Sequence, residues 1–412
     1  MSVNRRDREV LRSLASQVAQ IAALPVQQET RALWKALNRL QPVRPMVMID
    51  QVCWHEMDVD GELALQTADP FCRGLEARLR QTLYQWKHMR VDMVVEPVFD
   101  IPRVIHNTGF GISTSEQVSV LDPRNSVVGH RYLDQLATEA DVARIQIPQV
   151  SLDAEATERV EAMAHEVLDG ILAVRMQGVF PAFAAWDAIV QWHGVESLLL
   201  DMVERPAFMH GIMARLTEAY LGMLDQLEAQ GLLGYGQGTI HCSGAHTDEL
   251  PAPGFQAAHP RPRDLWTCGM AQIFSTVSPA MHQEFELDYA NRWYARFGLV
   301  YYGCCEPLDD KIGIIRRTPH VRKISMSPWV NVAKGAERIG RDYVFSRKPS
   351  PALLAPDSWC PQAVEQDLRA TAQCCARQGT PLEFILKDIS TVRYQPQRLW
   401  EWAQVAMRVV HN

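Results

Sequence analysis

Apolar residues along the chain follow two alternating patterns. Short apolar runs rich in β-branched and aromatic residues alternate with longer segments in which apolar residues recur every three or four positions. The first pattern is typical of buried strands and the second of amphipathic helices. It predicts strands at 45–49, 93–99, 171–175, 234–241, 271–274, 299–302, 322–326, 343–346 and 383–387.

Helices are predicted between the later strands and at both ends of the chain. The later ones cover 278–297, 331–340, 361–378 and 394–411, and two apolar stripes predict a helical pair within the first 40 residues. Strands that alternate with helices pair in parallel, and this number of units favours a closed (β/α)8 TIM barrel of the α/β class. We expect an N-terminal helical extension at 1–42, packed outside a barrel at 43–412.

Composition narrows the class of protein. Of 412 residues, 47% are hydrophobic and 22% charged, as in a globular protein that needs no membrane, and the net charge of −7 argues against a nucleic-acid partner. The charged N-terminus lacks an apolar signal-peptide core. Nine cysteines, some of them adjacent, do not resemble a secreted disulfide framework, so a cytoplasmic location is expected.

In a parallel barrel the functional groups follow the carboxyl ends of the strands. Asp100 follows the predicted strand 93–99, with Glu96 inside it and His106 shortly beyond. Carboxylates and an imidazole at such a place suit general acid catalysis. The alternative for Asp100 is an ordinary turn cap.

Two later strand ends carry soft metal-ligand types. His241 ends the predicted strand 234–241, and Cys304, Cys305 and Glu306 follow the strand 299–302. Together they would form an open zinc shell, with Glu306 also a catalytic candidate. The alternative is a pair of inert buried cysteines. Because successive strand residues point to opposite faces, only one of the two thiols can face the site. The sequence does not decide which of the two it is.

Cations and aromatic residues at other strand ends suggest how a substrate is held. Lys348 and Lys387 would suit an anionic group. The complete set of predicted substrate-binding residues is Trp266, Gln272, Tyr302, Trp329, Lys348 and Lys387. No Gly-x-Gly-x-x-Gly follows a strand and no Gly-x-Ser-x-Gly occurs, so a dinucleotide fold and a serine triad are disfavoured.

Several segments resemble the uroporphyrinogen decarboxylase superfamily. They are Val98-Phe99-Asp100-Ile101, Asp264-Leu265-Trp266, the run 272–279 that ends in Ser278-Pro279, Glu284-Phe285 and the run 345–351. The resemblance covers most of 90–410 and implies the barrel fold. In true decarboxylases of the family the matching aspartate, here Asp100, contacts the pyrrole nitrogens.

One departure disfavours the decarboxylases, and a second, the absence of a histidine, separates the chain from the other branch that it resembles. The segment 48–54 lacks the arginines with which the decarboxylases bind substrate carboxylates. Corrinoid-dependent methyltransferases of the superfamily bear His-x-Cys after a late strand, where this chain has Tyr302-Gly303-Cys304 followed by Cys305 and Glu306. The resemblance to this branch implies a cytoplasmic methyltransferase of the O-demethylase type, with a zinc shell that differs from the family's.

Three functions follow as hypotheses. The first is transfer of a methyl group from a small methoxylated or methylated substrate, such as an aryl methyl ether, to the cobalt of a corrinoid (cobalamin-type) cofactor on a separate corrinoid-binding protein. The second is a carboxy-lyase that acts on a tetrapyrrole, with Asp100 at its centre. The third is a protein that binds a corrinoid or tetrapyrrole without turnover. The methyl donor and the oligomeric state, a homodimer included, stay open.

Overall fold

The computed structural model describes residues 3–121, 123, 125 and 127–412. Its helices are α1 Arg5–Ala22, α2 Pro25–Asn38, α3 Pro70–His88, α4 Ala154–Leu168, α5 Ala185–His193, α6 Val195–Glu204, α7 Pro206–Ala229, α8 Pro279–His282, α9 Asp288–Tyr294, α10 Ile312–Ile315, α11 Val332–Ile339, α12 Pro361–Gln378 and α13 Gln397–His411. Its strands are β1 Met46–Ile49, β2 Val98–Pro102, β3 Ile105–Asn107, β4 Glu116–Ser119, β5 Gly129–Tyr132, β6 Val150–Leu152, β7 Ala173–Gln177, β8 Thr239–Ile240, β9 Ser243–Gly244, β10 Trp266–Gly269, β11 Leu299–Tyr302, β12 Val321–Met326, β13 Val344–Arg347 and β14 Leu382–Leu386.

A parallel six-stranded sheet forms the centre of the fold. Its strand order is β1-β14-β13-β12-β11-β10, and β2 and β7 form a separate parallel pair. The prediction of an α/β protein with parallel strands is confirmed. A closed barrel is not, because the described residues contain no continuous ring of paired strands. Two isolated bridges lie between the pair and the sheet. Val179 pairs with Leu233, and Phe183 pairs with Gly269.

The two faces of the central sheet differ in chemistry. The outer face carries Val300, Ile324 and Phe345, which pack into the main hydrophobic core beneath the helices. The inner face carries Tyr301 and Lys323, both fully buried, among other polar groups. Burial on both faces explains why these strands read as nearly continuous apolar runs in the sequence.

The predicted N-terminal helical pair is part of this packing rather than an outer decoration. α1 packs on α3 and α4. Trp34 of α2 is buried in one cluster with Met46, Val344 and Ile385 of the sheet, and its indole lies against Gly244, where a Cβ would be 2.5 Å from the ring. α2 therefore covers part of the inner face, and a glycine at 244 is needed for this close approach.

Several predicted boundaries are wrong. The strand predicted at 93–99 begins later, at Val98, so Glu96 precedes it and Asp100 lies within it. The strand predicted at 234–241 is replaced by the antiparallel hairpin β8–β9. The helix predicted at 278–297 comprises α8, a π-helical turn at Gln283–Leu287 and α9. No helix within the described ranges combines the length and the apolar character that a bilayer crossing requires.

A fully buried ion pair holds the inner face together. The Lys323 ammonium on β12 donates to Glu383 Oε2 on β14 at 2.7 Å. It also donates to Ser243 Oγ at 2.6 Å and to the Gly244 carbonyl at 2.9 Å. These bonds tie the β8–β9 hairpin to two strands of the sheet.

Replacing Glu383 with glutamine should leave the Lys323 charge without a counter-charge in a dry environment. We expect the free energy of unfolding, measured by denaturant titration, to fall by about 3–5 kcal/mol. The double variant Lys323→Met with Glu383→Leu is the matched control, since it removes both charges and should recover most of the loss. A glutamine variant as stable as the wild type would contradict the role assigned to this pair.

Candidate functional site

A sharp bend after β11 presents the two adjacent cysteines at the carboxyl edge of the sheet. Gly303 has φ +89°, and a Cβ there would lie 2.3 Å from Leu308 Cδ1, so the bend requires glycine. The buried Glu306 carboxylate then folds back and accepts the N–H groups of Cys304 at 3.0 Å and Ala271 at 3.1 Å. Glu306 thus fixes the loop that carries the thiols, and burial raises its pKa.

The Lys387 ammonium group donates a hydrogen bond to the Cys304 sulfur. Lys387 directly follows β14, and its Nζ lies 3.2 Å from Cys304 Sγ. The Cys305 and Cys304 sulfur atoms are 3.5 Å apart. The pKa of Cys304 is lowered because the Cys305 thiol donates to it and because His241 and Lys387 favour the thiolate, while the pKa of Cys305 is raised for the same reason. Burial would lower the pKa of Lys387, but the Cys304 and Asp388 charges raise it.

His241 reaches this cluster from a strained hairpin corner. β8 and β9 are joined by two residues, His241 with φ +43° and Cys242 with φ +68°. A two-residue hairpin turn of type I′ has positive φ at both central positions, which glycine and asparagine adopt most readily. Each such residue costs of order 1–3 kcal/mol, and strain of this kind concentrates at functional sites. The His241 ring lies 5.3 Å from the Tyr301 ring, and its buried Nε2 has no hydrogen-bond partner among the described residues.

Asp187 contributes a desolvated carboxyl group. It lies in the first turn of α5 and accepts a 2.7 Å hydrogen bond from Gln272 Nε2, just after β10. Burial raises the pKa of Asp187, and the Cys304 thiolate raises it further. A carboxyl group of this kind keeps its proton at higher pH than usual and can act as an acid.

A cavity of about 640 Å³ opens beside Lys387 at the same edge of the sheet. Residues that follow β1 and β14 line it, among them Gln51, Cys53, Trp54, His55, Asp388 and Ser390. Asp388 is adjacent to Lys387 in the chain and ion-paired with it at 3.3 Å. Asp388 lines this space, whereas Lys387, Cys304 and Asp187 are not among the residues that line it.

The structure brings only some of the predicted site residues together. His241, Cys304, Cys305 and Lys387 form one cluster, and Gln272 joins it through Asp187. The three predicted acid catalysts from the first βα unit are already engaged elsewhere. Their partners are Arg175 and Gln177 for Asp100, Arg31 for Glu96 and Asp153 for the exposed His106.

The remaining predicted substrate-binding residues are spread over the sheet. Tyr302 points into the helix layer, where its hydroxyl lies 2.6 Å from His282 Nε2. Trp266 begins β10, the strand at the opposite end of the sheet order from β1. Trp329 is 77% exposed. The Lys348 ammonium group donates to the Tyr301 and Ser346 hydroxyl groups inside the sheet. No contact in the structure tests a substrate role for them, so these roles stay predictions.

The donor set does not fit the predicted zinc shell. Among the described residues, no three His, Cys, Asp or Glu side chains are arranged to hold a metal ion. The Glu306 oxygens are taken by backbone N–H groups, and an ammonium group already lies against Cys304. Zinc at this site stays a prediction.

Sequence reasoning missed Asp187 and the role of Lys387 as partner of the thiolate. Asp187 lies in a helix turn that resembles any other acidic first turn, and its partner Gln272 is 85 residues away. Lys387 was predicted to bind an anionic substrate, and it was not connected with Cys304. The one available signal was that Lys387 and Cys304 both lie just after the carboxyl ends of strands of the same sheet, β14 and β11, which two other strands separate.

Comparisons with known proteins assign no family. No family model matches the chain, and no curated protein matches it. Among solved structures, the chain is similar to a methyltransferase from Methanosarcina mazei. The two share 12% sequence identity over 92% of this chain and 97% of the other, with a TM-score of 0.47. At these values the likeness carries no argument about activity.

Backbone strain at His241 can be measured with two variants that both remove the imidazole. Asparagine tolerates positive φ, whereas β-branched valine does not. We expect His241→Val to have a free energy of unfolding about 1–2 kcal/mol below that of His241→Asn in denaturant titrations. Equal stabilities would show that the corner is not strained.

Removing the Lys387 charge should shift the titration of Cys304. In the wild type we expect Cys304 to ionise below the ordinary thiol pKa of about 8.5. In Lys387→Met the pH at which Cys304 ionises should rise by at least about one unit. Ultraviolet thiolate absorbance against pH reports the shift, with Cys304→Ser as the blank. The exposed Lys334→Met is the matched control. Identical titrations in wild type and Lys387→Met would contradict the stabilising effect of Lys387.

Proposed function

We propose that the chain is a methyltransferase that transfers the methyl group of a small methoxylated substrate, such as an aryl methyl ether, to the cobalt of a corrinoid on a separate protein. The observation that carries this is the desolvated Asp187 carboxyl group beside the Cys304–Lys387 pair, at the edge of the sheet where α/β proteins place their sites. The resemblance of the sequence to corrinoid-dependent methyltransferases supports the choice of methyl group and acceptor.

Demethylation of an ether requires a proton at the leaving oxygen. The bond between the methyl carbon and the oxygen breaks, the electron pair stays on the oxygen, and the Asp187 carboxyl group donates its proton there. The corrinoid, when its carrier protein is docked, supplies the acceptor of the methyl group. The Gln272 amide holds the Asp187 carboxyl group in place at 2.7 Å.

Cys304 changes the pKa of Asp187 but takes no part in the bond changes of methyl transfer. Burial raises the pKa of Asp187 and the Cys304 thiolate raises it further, so this carboxyl group holds its proton more tightly than an ordinary aspartate does. The Lys387 ammonium group is the counter-charge that offsets the free-energy cost of burying the Cys304 thiolate. Both are positioning residues for Asp187 in this account.

The lyase alternative is not proposed. It requires a free Asp100 carboxylate to hold a protonated pyrrole, whereas Asp100 Oδ1 accepts Arg175 Nε at 2.6 Å and Oδ2 accepts Arg175 Nη2 at 2.9 Å. A bidentate guanidinium already neutralises this group.

Replacing Asp187 with asparagine keeps the shape and removes the proton. We expect kcat for phenol release from an aryl methyl ether, with a reduced corrinoid protein as acceptor, to fall roughly 10²–10⁴-fold with little change in KM. Because the acid form is the active one, wild-type kcat should fall as pH rises through the raised pKa of Asp187.

Asp100→Asn is the matched control and should retain the wild-type rate. A full rate in Asp187→Asn would remove this residue from the mechanism. Carbon dioxide release from a tetrapyrrole, without methyl transfer from any aryl ether tested, would overturn the proposed function.

A further inference from the structure

We propose that Cys304 and Cys305 are a peroxide-reactive dithiol that closes reversibly to a disulfide between adjacent residues. The inference rests on the geometry of the loop after β11 and is independent of the proposed function. It assigns a modification site to residues that the sequence had suggested only as metal ligands or as inert cysteines.

The distance between the sulfur atoms is the first support. They lie 3.5 Å apart, against about 2.05 Å in a disulfide. Both cysteines lie in the irregular bend between Gly303 and Glu306, where no helix or sheet ladder fixes the direction of the side chains. Adjacent Cα atoms are about 3.8 Å apart, closer than in most disulfides, so the closed bond is strained and easily reduced.

The two thiols have different surroundings that suit the two halves of the reaction. Cys304 is buried against the Lys387 ammonium, which favours its thiolate form, while Cys305 is exposed to solvent. A thiolate is the form that attacks a peroxide, and a neighbouring thiol is the group that resolves the product.

The step balances with hydrogen peroxide as the oxidant. The Cys304 thiolate attacks one peroxide oxygen, the O–O bond breaks, and the departing hydroxide takes a proton to become water. Cys304 is now a sulfenic acid. The Cys305 sulfur attacks the Cys304 sulfur, the S–O bond breaks, and the oxygen leaves as a second water with the Cys305 proton. Two thiols are oxidised and one peroxide is reduced.

The chain contains a second adjacent pair that serves as an internal comparison. Cys374 and Cys375 lie within α12, where successive side chains point about 100° apart around the helix axis. Cys375 is buried on the apolar face, and Cys374 Sγ accepts from Arg377 Nη2 at 3.1 Å. This pair cannot close without unwinding the helix, so adjacency in the sequence alone is not enough.

Closure would also change the electrostatics of the site. A disulfide carries no charge, so Asp388 would be the counter-charge that Lys387 keeps among the described residues. Asp187 would lose the thiolate that raises its pKa. If the proposed function holds, oxidation therefore lowers methyl transfer and reduction restores it.

The test treats the full-length protein with a small excess of hydrogen peroxide and measures intact mass and free thiols. We expect the loss of two hydrogens and of two titratable thiols, mapped by peptide analysis to 304–305 and reversed by dithiothreitol. Cys374→Ser should behave in the same way. Cys305→Ser should instead stop at a Cys304 sulfenic acid that dimedone traps.

Three results would overturn the proposal. The first is wild-type protein that passes to a sulfinic acid or stays unmodified without forming a disulfide. The second is a disulfide that maps to another pair of cysteines. The third is a gain of one oxygen with loss of two hydrogens, which would show a bridge from Cys304 to Lys387 in place of the disulfide. None of these readouts depends on enzyme activity, so they stay separate from a failure of the proposed function.

Discussion

Charged groups inside a sheet that is buried on both faces need charged or polar partners, and this requirement shapes the inner face of the protein. Lys323 and Glu383 neutralise each other at full burial. Lys348, whose pKa burial lowers to about 8, lies against Tyr301 and Ser346. At the carboxyl edge, Lys387 meets Cys304. Each of these cations has a partner on another strand of the sheet or on the loop that follows one.

The same requirement explains why a strained hairpin fills the inner face. Lys323 needs oxygen acceptors beyond one carboxylate, and Ser243 and the Gly244 carbonyl of β9 provide them. Holding β9 in this place leaves only two residues for the turn from β8, which puts His241 and Cys242 at positive φ. The ring of His241 is thereby directed toward Tyr301 and the Cys304 thiolate. Strain at the corner is offset by the bonds that the hairpin makes deeper in the sheet.

Strands buried on both faces could be predicted closely from the sequence. β11, β12, β13 and β14 begin and end within one residue of the predicted runs, because double burial makes every position apolar or paired. The hairpin β8–β9 could not be predicted, since its two-residue strands are held by the distant Lys323 rather than by a pattern of their own. Sequence reasoning found Cys304 at a strand exit, but its partner Lys387 is 83 residues away. Contacts of that separation leave no local pattern.

The Lys387 ammonium group lies against the Cys304 sulfur, in the place that the predicted zinc ion would take. Crystals grown with added zinc and measured on both sides of the zinc absorption edge test it most directly. The account predicts no anomalous peak near Cys304 and Lys387 Nζ in direct contact with its sulfur. A strong peak bonded to the sulfurs of Cys304 and Cys305 and to His241 Nε2, with Lys387 displaced, would contradict it.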